Sequence, residues 1–316
     1  RLHPNADIRV FSETGNKLEN GNMISGFQEI ESFLPELSIL ANSTSRHLEV
    51  GIKLAKLGSH LLIEKPISND LTLIGELIKA KRDLNLKISI GYNIRYLPSF
   101  KLFSSLIASE EVGRILDVRV QVGQDLRTWR PNQDYRKSVS ADKSKGGGVL
   151  RELSHEIDYV LTIFGYPTWV FASTATVGDL EVDVEDIAHV IFGLKDGENR
   201  EYMATLSLDF VRQDKLRTCT VLATHATIEW DLLTGKIVSR NDQSHATKIY
   251  NSKPESLQET YVAEWEELVN AILTGSEITD TIASSIQTLE VIAACETSQV
   301  TSGKVYLKEQ QAVIYD

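Results

Sequence analysis

The sequence predicts an α/β fold in two parts, a doubly wound parallel sheet followed by a domain built on a mainly antiparallel sheet with flanking helices. Three observations carry that prediction. Over residues 1–97 short apolar runs alternate with amphipathic stretches, the pattern of strands and crossover helices. After Pro167 at least five alternating segments follow at turn-sized intervals, which is how an antiparallel sheet reads. The chain has 316 residues, 42 % hydrophobic and 24 % charged, enough for two ordinary cores.

In the first part, residues 1–97, the strands are expected at Ile8 to Phe11, Leu37 to Ala41, Leu61 to Ile63 and Ile88 to Ile90, each ending in polar residues or glycine. Ser45 to Leu57 and Asn69 to Leu84 read as the helices between them, the first stopped by Gly58 and the second opened by an Asn69 or Asp70 cap. The second part, residues 98–316, opens with a helix from about Lys101 and the alternating strand Ile115 to Val122. Gly146-Gly147-Gly148 then introduces a helix running to about Phe164. The later strands are Thr168 to Val177, Ile187 to Leu194, Tyr202 to Phe210, Arg217 to Ala223 and Thr227 to Asp231. Two helices close the chain, Leu257 to Thr274 and Thr279 to Thr301, the second expected to pack back on the opening domain.

Composition excludes several function classes. With 44 acidic against 33 basic side chains the net charge is −11, which disfavours nucleic acid and anionic lipid as partners. No apolar run approaches the ~20 residues of a membrane span. Cys219 and Cys295 lie far apart inside apolar patterns, so neither a disulfide framework nor a metal cluster is expected, and a reducing cytoplasm is the simplest setting.

Strand ends of a parallel α/β sheet face the crevice where ligands bind, so their polar tails should converge on one cleft. Those tails are Asn42-Ser43-Thr44-Ser45-Arg46-His47, Glu64-Lys65-Pro66 and Gly91-Tyr92-Asn93-Ile94-Arg95-Tyr96. A lysine stiffened by the following proline can hold an ammonium on a hydroxyl or carbonyl oxygen, so Lys65 is the candidate for stabilising developing charge. In Gly146-Gly147-Gly148-Val149-Leu150-Arg151-Glu152-Leu153-Ser154-His155-Glu156-Ile157-Asp158, a continuous helix would put Glu152, His155 and Asp158 near one face. His155 is then the candidate general acid/base with Glu152 as its partner, and Asp158 a structural support. Asn42, Ser43 and Thr44 can also cap the next helix without any ligand, and both uses can hold together.

Taken in this order and at these spacings, the motifs resemble the glucose-fructose oxidoreductase, inositol dehydrogenase and rhizopine catabolism (Gfo/Idh/MocA) family of nicotinamide-dependent oxidoreductases, over essentially the whole chain. The resemblance implies a Rossmann-type domain followed by a large open sheet, NAD or NADP as cofactor, and hydride transfer to or from a sugar, polyol or sugar acid. It places Asn42, Ser43, Thr44, His47, Glu64, Lys65 and Asn93 at the cofactor, and Arg95 with the loop residues Trp129, Arg130, Tyr135 and Arg136 at the substrate. Arginines and aromatics in such a loop suit an anionic sugar. Glu152 stands where the family usually has aspartate.

The family's Gly-x-Gly-x-x-Gly turn is absent; Gly15 and Gly21 do not supply it, and the chain opens at Arg1 rather than Met. About 25 to 30 residues of the expected βαβ unit are therefore missing, so the sequence is expected to be a fragment or to start from a displaced N-terminus. Glu13 could accept a ribose 2′-hydroxyl and favours NAD, whereas Ser12 and Lys17 could hold a 2′-phosphate. The leading expectation is an NAD(P)-dependent dehydrogenase acting on a secondary hydroxyl or ketone. Redox-assisted glycoside cleavage and a non-catalytic sensing or assembly protein are the rivals. The exposed face of the large sheet is expected to be apolar enough to make a homo-oligomer, a dimer or tetramer.

Overall fold

The computed structural model describes residues 3, 5–12, 22–241, 246–251, 256–279 and 281–308. Two short strands, β1 (Arg9–Val10) and β2 (Asn22–Met23), pair in parallel ahead of helix α1 (Phe27–Phe33). A three-stranded parallel sheet follows in the order β3-β4-β5, with β3 at Leu37–Leu40, β4 at His60–Ile63 and β5 at Ile88–Ile90. Helices α2 (His47–Lys56) and α3 (Ile74–Asp83) cross between them. Leu40, Leu61 and Ile63 face α2, and Gly51 lets that helix approach closely, since a Cβ there would sit 3.5–3.7 Å from all three. The alternate residue Ile39 lies on the other face of edge strand β3 and is 59 % exposed.

The second sheet has nine strands in the order β13-β12-β11-β10-β6-β9-β8-β7-β14. Their ranges are β6 Ile115–Gly123, β7 Trp169–Ala175, β8 Ile187–Lys195, β9 Glu201–Asp209, β10 Leu216–Ala223, β11 Thr227–Asp231, β12 Lys236–Asn241, β13 Ala246–Asn251 and β14 Val305–Tyr306. All neighbours run antiparallel except β6 and β9, which are parallel. Alternation decides which face is covered: Val118, Val120, Val122, Val190, Phe192, Leu206 and Leu208 are buried. The opposite face carries Arg119, Gln121 and His189 exposed and Thr205 and Ser207 half-buried, together with the exposed Met203 and the half-buried Phe171 and Ile191.

Helices α4 (Pro98–Ile107), α5 (Val149–Glu152), α6 (Ser154–Phe164), α7 (Leu257–Thr274) and α8 (Ile282–Thr301) complete the fold. Pro98 opens α4, where its missing N–H costs nothing. α8 packs on β7 and α6 and also reaches β5, while α7 packs on β4 and on the turn Asn93–Tyr96. The lock between α4, α6 and β11 is the buried indole of Trp230: Phe103 stacks on it at 4.8 Å and Tyr159 meets it edge-on at 5.6 Å. Its Nε1–H donates to Ser99 Oγ at 3.0 Å.

Three sequence expectations change. The stretch 149–164 is two helices, not one, broken at Leu153. The helix expected from residue 69 begins at Ile74, because Asp70 Oδ1 accepts the Thr72 N–H in a preceding turn instead of capping a helix. Strands β2, β12, β13 and β14 and helix α1 were not anticipated, being short or of mixed polarity. Among the described residues no helix is long and apolar enough to cross a membrane.

Trp230→Ala should destabilise the fold by roughly 3–5 kcal/mol through the cavity it leaves, with Trp230→Phe costing clearly less. Urea unfolding followed by circular dichroism measures both, and equal small losses would show that the Trp230 cluster does not join the elements.

Candidate active site

The site is assembled where the end of β4 meets the break between α5 and α6. The glycine run seats the start of α5. Backbone packs directly on Gly147, where a Cβ would collide with the carbonyls of Val139 and Ser140. Gly148 takes φ +108°, a conformation open to glycine, with its Cα against the Glu185 carboxylate. Glu185 then serves the new helix start, its backbone carbonyl accepting the Val149 N–H at 3.2 Å and its Oε1 the Leu150 N–H at 3.1 Å. Six residues after Leu150, the Glu156 N–H donates to Leu153 O at 3.1 Å rather than continuing the α-helical ladder, which turns the Glu152 carbonyl outward.

That carbonyl accepts the Lys65 ammonium at 2.8 Å, across 87 positions of chain. Lys65 follows β4 and Glu64, and its peptide bond to Pro66 is cis. His155, on the first turn of α6, is half-buried, and Tyr92 meets its ring edge-on at 5.6 Å. Burial first, then the charges of Lys65, Arg217 and Arg95, hold this imidazole well below its ordinary protonation range, so it is neutral at pH 7. Its Nδ1 has no hydrogen-bond partner among the described residues. The structure thus brings Lys65, Glu152 and His155 together as an ammonium, a carbonyl and a neutral imidazole.

Glu152 does not partner His155. The break at Leu153 removes the shared helical face, and the Glu152 carboxylate instead accepts Ser140 Oγ–H at 2.9 Å. Several other expected contacts are also used elsewhere. Both ring nitrogens of His47 lie against carbonyls, Nδ1 on Pro66 O at 2.9 Å and Nε2 on Asn42 O at 3.1 Å, so this residue, 1 % exposed, ties strand ends together and leaves no edge for a cofactor. Asn93 is buried and donates to Thr260 Oγ1 of α7 at 2.9 Å. Arg95 is buried and holds Asp158 through two hydrogen bonds of 2.9 and 2.6 Å, so it is an internal strut and not a substrate ligand.

In the 126–146 loop, Trp129 packs edge-on against Phe210 and donates to Gln124 O at 3.1 Å. Tyr135 accepts the Glu181 N–H, Arg136 pairs with Asp134 and Glu181, and Arg130 is exposed. Asn42 is exposed, Ser43 half-buried and Thr44 buried beneath Gly146. Glu13 and Lys17 lie outside the described residues.

Beside the strand ends runs a groove of about 320 Å³ lined by Ile39, Leu62, Glu64, Gly91 and the α7 residues Gln258, Tyr261, Val262, Glu264 and Trp265. Burial raises the Glu64 carboxyl above its usual range. Glu264, 1 % exposed and with Oε1 unpartnered among the described residues, is pushed up to about 8 by burial and then by Glu64 and Glu267. Neither this groove nor Arg217 was foreseen. Glu156 next to His155 was in the motif, but nothing in the sequence paired it with an arginine 61 positions on.

Residues 100–229 match the GFO/IDH/MocA C-terminal domain. Glucose-6-phosphate 3-dehydrogenase of Bacillus subtilis is 27 % identical over 165 residues, 50 % of this chain and 47 % of that protein. Levoglucosan dehydrogenase of Pseudarthrobacter phenanthrenivorans is 28 % identical over 135 residues, 42 % of this chain and 34 % of that protein. The aligned stretch is thus less than half the length of either relative. Among solved structures, levoglucosan dehydrogenase in complex with NADH and levoglucosan superposes with a TM-score of 0.77 at 19 % identity, covering 91 % of this chain and 84 % of that one. The stretch 100–229 is thus similar to the C-terminal domain of the Gfo/Idh/MocA family.

Glu264 sets a test of the groove. The folded state keeps its proton up to about pH 8, whereas an unfolded glutamate loses it near 4.5, so the folded state binds more protons between those values and stability falls as pH rises through that window. Glu264→Gln removes the loss. Relative to the native chain it should gain about 3 kcal/mol at pH 7 and little at pH 4.5, as an order of magnitude, measured by urea unfolding at both pH values. The same difference at both pH values would show that Glu264 ionises normally.

Proposed function

We propose that this chain carries the catalytic half-site of an NAD(P)-dependent oxidoreductase that moves a hydride between a nicotinamide and a secondary hydroxyl or ketone of a sugar-like molecule. The observation that carries the reading is the Lys65 ammonium seated on the Glu152 carbonyl beside a neutral His155. The relatives named for dehydrogenation of glucose 6-phosphate and levoglucosan, and the fold shared with a protein solved with NADH, support the substrate and cofactor classes.

The residues present suit the nicotinamide end of such a cofactor. Asn42 and Ser43 offer polar groups at the end of β3, and Glu64 stands at the end of β4 beside a groove with apolar and aromatic walls. An unpartnered, deeply buried Glu264 oxygen in that groove could receive a hydrogen-bond donor. When bound, a nicotinamide supplies the hydride acceptor or donor. This chain's residues do the rest. The unprotonated His155 takes the hydroxyl proton as the alcohol is oxidised and returns it in the reverse direction. Lys65, held at a fixed distance by the Glu152 carbonyl, places positive charge on the oxygen whose charge develops. Ser140 keeps the Glu152 carboxylate turned aside, away from the imidazole. Choice between NAD and NADP, and self-association through the outer face of the nine-stranded sheet, belong to this proposal as well.

Fluorescence titration of NADH and NADPH into the chain tests cofactor binding directly. Binding to neither favours the sensing alternative. In a protein that turns over a sugar, His155→Ala and Lys65→Ala should each lower kcat by about 100-fold or more, with nucleotide affinity kept within a few fold in His155→Ala. Unchanged turnover would remove either residue from the chemistry.

A further inference from the structure

His155 stands between two interior ion pairs for which the proposed chemistry has no use. On α6, Glu156 follows it by one residue and Asp158 by three, so at about 100° per residue they project on opposite flanks of the imidazole, about 100° to one side and about 60° to the other. Glu156, 0 % exposed, is gripped by Arg217 of β10, with Nε to Oε1 at 2.6 Å and Nη2 to Oε2 at 3.0 Å. Asp158, 2 % exposed, is gripped by Arg95 from the turn after β5, with Nε to Oδ2 at 2.9 Å and Nη2 to Oδ1 at 2.6 Å.

Each contact is a two-point fork, which fixes direction as well as distance. The forks come from different sheets, one from the nine-stranded sheet and one from the end of the parallel sheet. Any rotation of α6 about its axis that eased one would open the other. Buried ion pairs of this kind add little net stability over apolar packing of the same volume, so their directionality is the property to explain.

We propose that Glu156–Arg217 and Asp158–Arg95 are paired positioning clamps that set the direction of the His155 imidazole, with Arg217 close enough for its charge to act on the ring. The proposal rests on His155 being the proton-handling group. The charged and titratable groups that reach the ring are Lys65 after β4, Arg217 on β10, and Arg95 and Tyr92 after β5, with Glu156 and Asp158 flanking it on α6 itself. Of these, Lys65, Arg217 and Arg95 all oppose its protonation.

The test is an NMR titration of the histidine Cε1–H resonances of the whole chain, with His155→Gln to assign the signal and without nucleotide or sugar. Removing the Arg217 charge in Arg217→Gln should raise the His155 midpoint by about half a pH unit or more, and Glu156→Gln should lower it by a similar amount. The double variant should return to within about 0.2 of the native midpoint. Arg217→Lys keeps the charge but loses the fork, so it should hold the midpoint while broadening or splitting the His155 signal as the ring samples more than one direction. A midpoint unmoved in both single variants overturns the proposal. Should a single variant fail to fold, line width in Arg217→Lys and in the double variant decides: a broadened signal supports the clamps, and a sharp native-like line in both overturns them. Because no nucleotide is present, loss of the oxidoreductase reading would leave these shifts intact, and loss of the clamps would leave NADH binding intact.

Discussion

One hydrogen bond ties the two halves of the candidate site together: the Lys65 ammonium on the carbonyl of Glu152. It exists because a helix is interrupted. In a continuous helix the Glu152 carbonyl would accept the Glu156 N–H, but that N–H turns to Leu153 and frees the oxygen. Upstream, Gly147 and Gly148 allow the backbone to fold tightly against Val139, Ser140 and Glu185, which fixes where α5 begins. The result joins the parallel sheet to the second sheet's helices at the point where the imidazole emerges.

The surrounding polar groups are arranged to support that point. His47 ties Asn42 to Pro66, Asn93 ties the turn after β5 to Thr260, and Tyr96 reaches Glu267 on α7. Each satisfies a buried polar group that would otherwise be costly, and each connects a strand end to a neighbouring element. Several residues that look like ligand contacts in the motif are therefore parts of the frame. An arginine such as Arg95, buried with both faces of its fork on Asp158, has been spent on holding α6.

Much of this was legible in the sequence. Strands β4 and β5, α7 and the antiparallel run from Trp169 to Asp231 followed from apolar period and turn signals, because those segments bury one face or both. Lys65 and His155 stood out because their neighbours, a proline and a glycine run, restrict the backbone around them. What stayed hidden was whatever depends on distant partners. The break at Leu153 has no proline or glycine to announce it, since it is made by tertiary contacts of the preceding loop, and so the Glu152–His155 pairing inferred from helical spacing does not form. The Arg217–Glu156 fork joins positions 61 residues apart, and β12 and β13 alternate too weakly to be seen without their neighbours.

The central claim is that the Lys65 ammonium lies close enough to the His155 ring to act with it on one substrate oxygen. The measurement that reaches it most directly is the His155 protonation midpoint in Lys65→Met, compared with the native chain by NMR at low ionic strength. Loss of the nearby cation should raise the midpoint by about half a pH unit or more. An unchanged midpoint in a folded Lys65→Met chain would place the two groups apart and contradict the account.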